Sequence, residues 1–180
     1  FHKRAQQFYR SEAIHAHLPQ TLNSLAAVEM ETGSQDSAEV LLMESLEMAR
    51  TLGNVFDQAV ALALLGNMKL AQDQPKEAIV LSEKALLLTD RSGAAPLALQ
   101  ILCDVARLLV RSELDQPEEA TALLRYVADH PAAEADTRRR AAACLVELDT
   151  LETIGDLTGQ DVWSVVAGIR SNLADTISLN

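Results

Sequence analysis

Apolar residues fall three and four positions apart along nearly the whole chain, and the pattern copies itself every forty residues. Leu62, Leu65 and Gly66 become Leu22, Leu25 and Ala26 upstream and Leu102, Val105 and Ala106 downstream. Gln74-Pro75-Lys76-Glu77-Ala78 returns as Gln116-Pro117-Glu118-Glu119-Ala120, a spacing of 42 that places two extra residues in the third copy's turn. The first copy answers with Gln35-Asp36-Ser37-Ala38. Three-four spacing belongs to amphipathic helices. A fixed period of this length marks a stack whose units bury their apolar faces only against their neighbours.

The spacing predicts an all-α fold of seven to nine helices in antiparallel pairs, without a sheet. Pairs are expected over 19–32 and 35–52, 55–72 and 75–92, and 95–112 and 117–130, with a further helix over 135–153 and a last one from 162. Gly33, Gly53 and Gly93 stand where a left-handed residue would end a helix. Pro75 suits a first helical turn, Asp129-His130-Pro131 closes the third pair, and Thr158-Gly159-Gln160-Asp161 has the form of a capping box. Expected packing stripes are Leu22, Leu25, Ala26 and Glu29 in the first helix, and Ala38, Leu41 or Leu42, Ser45, Met48 or Ala49 and Leu52 in the second. Ala142, Leu145, Val146 and Leu148 follow in the helix after the third pair, then Val162, Val165, Val166, Ile169 and Leu173 in the last. Met43 and Met48 are expected to pack, and Trp163 to seal the end of the stack. Residues 1–17 have a looser helical spacing and sit where the second helix of a preceding, incomplete repeat would lie, as in a piece cut from a longer chain. One helical-repeat domain over 1–180 results: a partial repeat at 1–18, repeats at 19–53, 54–93 and 94–131, and capping helices at 132–180.

Composition narrows the class. With 48% hydrophobic and 3% aromatic residues over 180 positions, the core is built of Leu, Ala and Val. No uninterrupted run of about 18 apolar residues is present, so no membrane contact is expected, and no signal-peptide pattern opens the chain, which points to the cytoplasm. The net charge of -11 divides into +2 over residues 1–17, -9 over 18–132 and -4 over 133–180. A body this acidic repels phosphate backbones, which argues against direct nucleic-acid binding by this segment and favours a basic partner surface.

Reactive chemistry is sparse. Cys103 and Cys144 lie on apolar helix faces without metal-ligand spacing and are expected to be small buried hydrophobes. His15 and His17 are two apart and share no helix face; His130 is a helix-end residue favoured by the dipole. Arg138-Arg139-Arg140 is the one basic cluster, first a solvated face and second a contact for phosphate or an acidic peptide. Phosphate-binding, dinucleotide, zinc-protease and nucleophile-elbow motifs are all missing, so neither catalysis nor a cofactor or metal is expected.

Leu62, Leu65 and Gly66, followed twelve residues after the Gly by Ala78 and then Ala85, resemble the tetratricopeptide repeat. The likeness spans residues 19–131 and is strongest in the middle copy. It implies a right-handed superhelix whose first helices line a concave groove for a peptide or helix. The forty-residue period and the run Ala49-Arg50-Thr51-Leu52-Gly53-Asn54 look like the longer arrays at the C-terminal ends of bacterial signal-transduction ATPases and transcriptional activators. This second likeness implies a sensor or scaffold segment of a regulator, packing on its own chain or sensing an effector. By register, the groove side carries Asn23, Asn67 and Arg107, with Arg111 beside it. An asparagine can bond a peptide backbone and the arginines an acidic group. The expected function is therefore binding of a protein or peptide partner, with self-association left open.

Overall fold

Where the connection between two helices is described, a short turn folds the second back on the first, so this part of the chain becomes a stack of pairs. The computed structural model describes the backbone of residues 2–111, 117–148, 157 and 159–178, and the side chains of 16–110, 117–148, 157 and 159–172. Among the described residues there are eight α-helices and no strand: α1 (His2–Glu31), α2 (Gln35–Thr51), α3 (Val55–Ala71), α4 (Pro75–Ser92), α5 (Ala95–Arg111), α6 (Pro117–Asp129), α7 (Ala135–Glu147) and α8 (Val162–Ser178). None of them is long and apolar enough to cross a membrane.

The odd-numbered helices form one row, α1 touching α3, α3 touching α5 and α5 touching α7. The even-numbered helices α2, α4 and α6 each touch their chain neighbours but not one another, and α8 leaves the sequential order to pack on α4 and α5. The core runs through the middle of this arrangement. Ala59, Leu62, Leu65 and Met68 of α3 and Leu99, Leu102, Val105 and Leu108 of α5 are buried, because α3 is flanked by two odd and two even helices and α5 by two odd and three even ones. Fully burying one such side chain contributes about 1.5–3 kcal/mol.

Gly66 sits where α3 crosses α4. A Cβ there would stand 3.3 Å from Ser82 Oγ and 3.5 Å from the Ala78 carbonyl oxygen, so the small residue is what allows the close approach. Ala26 and Ala106 occupy the matching places and are fully buried.

Several expectations change. α1 is one unbroken helix through residues 18 and 19, with Pro19 inside it, so the stretch given to a preceding helix and the first helix of the first pair are a single element. Pro19 gives up one helical N–H, and its carbonyl accepts the buried Ser45 hydroxyl of α2 at 2.9 Å. Leu25 is exposed although its copies Leu65 and Val105 are buried, because α1 is the outermost of the described odd helices. Leu52 is exposed at the end of α2, and Met43, expected to pack, is 56% exposed. On α7 the buried residues are Thr137 and Ala141, while Ala142 and Val146 face solvent; packed only on α5 and α6, this helix buries a narrow stripe. α8 is capped by Asp161, which accepts from Trp163 N at 3.0 Å and Ser164 N at 3.2 Å. The cap thus lies three residues after Thr158, itself outside the described residues, as are residues 149–156, the turn over 112–116 and the side chains of Leu173 and of residues 1–15.

Candidate binding surface

The groove residues expected from register lie on successive odd helices, but most of their polar atoms are turned to one another. Asn23 on α1 is 3% exposed. Its Nδ2 donates to the Asp57 carbonyl oxygen at 3.2 Å, tying α1 to the first turn of α3, and its Oδ1 is buried without a partner among the described residues. Asn67 on α3 donates from Nδ2 to Asp104 Oδ2 on α5 at 2.9 Å. Arg107 Nη1 lies 3.6 Å from Asp104 Oδ1, and Arg140 of α7 binds the same oxygen. Arg111 closes α5, with its side chain outside the described residues. Asn67 and Arg107 are thus brought together through Asp104, while Asn23 serves a separate junction.

Asp104 was not anticipated. The signal was a lone acid inside the apolar run from Ile101 to Val110, since a buried charge needs partners. Arg140, expected on a solvated face with its neighbours, instead supplies one of them. Burial pulls its guanidinium down, but the Asp104 charge and hydrogen bond, with smaller contributions from Cys103 and Asp136, hold it above its ordinary value. Arg139 pairs with Asp136 at the surface, and Arg138 is exposed.

Between α3 and α5 the odd row opens into a cleft of about 350 Å³. Its apolar lining includes Val60, Leu64 and Leu97, and Asn67, Gln100 and Glu134 supply the polar groups. Phe56 stands in this lining with 47% of its surface exposed. Phe56 follows Asn54, which caps α3 by accepting from Asp57 N at 3.1 Å and donating to Asp57 Oδ2 at 2.7 Å. The cap fixes the first turn that carries the ring. Asn23 is not part of this lining.

The remaining chemical candidates are structural. Burial first, and Asp104 next, push the Cys103 thiol up to about 11 against the pull of Arg140 and Arg107; a thiol held protonated is a poor nucleophile. Cys144 is half-buried and free. His130 Nδ1 accepts from Ala132 N at 3.1 Å and its ring lies 5.3 Å from that of Tyr126. Among the described residues no group of three acidic, His or Cys side chains gathers to hold a metal.

No protein-family model, curated protein or solved structure matches the chain.

Proposed function

We propose that this chain is a protein-interaction module of tetratricopeptide type, which takes a short peptide segment on its odd-numbered row. The cleft between α3 and α5 carries this reading. It has an apolar lining large enough for one or two side chains, a half-exposed aromatic ring, and amide groups of Asn67 and Gln100 suited to a peptide backbone. Arg107, about a third exposed on α5 and paired with Asp104, is outside the cleft's lining and would meet an acidic group only on a ligand that runs on along α5. The buried Asp104 carboxylate is engaged by Asn67 of α3 and Arg140 of α7, so it serves as a tie between helices.

The test begins with peptides selected by display against the full chain and titrated by fluorescence anisotropy. Phe56→Ala and Gln100→Ala are expected to weaken a selected peptide by about tenfold, as removal of an anchoring contact does. Neither residue ties two helices together in the hydrogen bonds described here, so the fold should stand. Unchanged affinity in both variants would remove the peptide from this cleft.

A further inference from the structure

Because the even helices stand apart, each consecutive two leave a furrow over the odd helix between them. The furrow of α4 and α6, over α5, is occupied by α8. Val162, Val165, Val166 and Ile169 are buried within the common core. The Tyr126 hydroxyl donates to the Gln160 carbonyl at 3.2 Å, and Asn172 Nδ2 donates to Glu119 Oε1 at 2.8 Å. Facing α8 from the α6 side are Glu118, Glu119, Ala122 and Leu123.

The furrow one unit earlier, between α2 and α4 over α3, uses the same register positions. Its α4 wall is Lys76, Glu77, Val80 and Leu81, each 42 residues before its counterpart on α6, and Leu65 stands forty before Val105. This furrow is an open cavity of about 450 Å³ with half-exposed Met43 at its lip. We propose that it docks an amphipathic helix from a partner protein, one bearing an apolar stripe like that of α8 and basic flanks.

Two observations decide the occupant. The first is polarity. Where the filled furrow has buried Ile79 and Leu109, the open one has Glu39 and Lys69, and Lys69 Nζ bridges Glu39 at 3.2 Å and Glu77 at 3.9 Å. An apolar furrow suits a permanent tenant; one with an ion pair along its length tolerates water when empty, as a reversible site must. The second is charge. α2 sets exposed Val40 and Met43 among Asp36, Glu39, Glu44 and Glu47, with Arg50 as its one basic residue, so Lys and Arg flanks complement this lip. A second copy of the chain, at -11, does not.

The probe is a labelled synthetic helix of 17 residues, the length of α8. It carries Val and Ile at the spacing of Val162, Val165, Val166 and Ile169, with Lys at flanking positions, and is titrated against the full chain. Saturable binding is expected, weakened about tenfold or more by Met43→Glu and by replacing the peptide's Lys with Glu, and left unchanged by Phe56→Ala, which tests the other face. Met43 is a surface residue, so an unaltered circular-dichroism melt is expected to accompany the loss. No binding, equal binding to the Met43→Glu variant, or equal binding of the Glu-flanked peptide would overturn the proposal. So would sedimentation that reveals a dimer of the chain abolished by Met43→Glu, since the furrow would then belong to a second copy.

Discussion

A left-handed backbone recurs every twenty residues, at Gly33, Gly53, Asp73 and Gly93. All four turns repeat the same bond: Ser34 N to Glu29 O at 2.8 Å, Asn54 N to Ala49 O at 2.8 Å, Gln74 N to Lys69 O at 2.9 Å and Ala94 N to Thr89 O at 3.2 Å. The turn within a pair and the turn between pairs are therefore the same device. Three of the four positions were legible because they are glycine; Asp73 was not, because it adopts the conformation at a cost that glycine avoids. Asp73→Gly is expected to raise stability by about 0.5–1 kcal/mol and Gly53→Ala to lower it by about 1 kcal/mol, read from urea midpoints at constant slope. At Gly66, substitution by Leu is expected to cost about 1–3 kcal/mol by overpacking against Ser82 and Leu81; an unchanged midpoint would place the position in open space. Asp57 tests burial through pH. Desolvation raises its carboxyl above the ordinary 3.8, against the opposing Asn54 hydrogen bond and the His17 charge. The folded chain therefore holds this proton more tightly than the unfolded one, and the charged form is penalised at neutral pH. The penalty fades as pH falls through the raised value and is gone below 3.8. Asp57→Asn should accordingly melt higher than wild type at pH 7, with the gap closing on acidification; a gap independent of pH would refute the assignment.

At the scale of elements, seven of the eight described helices were placed by periodicity, α2 to α6 and the start of α8 because they bury regular three-four stripes, and α7 although it buries only Thr137 and Ala141. What escaped was set by neighbours. The continuity of α1 through Pro19 hid behind a residue that usually ends helices, and the exposure of Leu25 depends on how many of the described helices touch α1, which no local pattern encodes. The candidate site was legible only as a row: register put Asn67 and Arg107 on one side, but it could not tell that both would turn to Asp104, or that Arg140 would arrive from α7. That network fastens α3, α5 and α7. Asp104→Ala leaves the partly buried Arg140 without its counter-charge and is expected to cost about 1–3 kcal/mol. Asp104→Ala combined with Arg140→Met should recover part of the loss; a double variant no better than the single one would mean that the pair does not act as a unit.

Across the whole molecule, burial is concentrated in α3 and α5 and thins toward α7. Amide hydrogen exchange followed by mass spectrometry is expected to run slowest in α3 and α5 and fastest in α7, and equal protection throughout would argue for a single undivided cooperative unit. The occupied furrow also bears on mechanics. By packing on α4 and α5 and bonding to α6, α8 braces three helices at once, as a strut braces a frame. Across the open furrow, α2 and α4 are joined, among the described residues, through α3 and the reach of Lys69 between Glu39 and Glu77. Bending is therefore expected to be easier across the open furrow than across the braced one, where a tenant would act as a second strut.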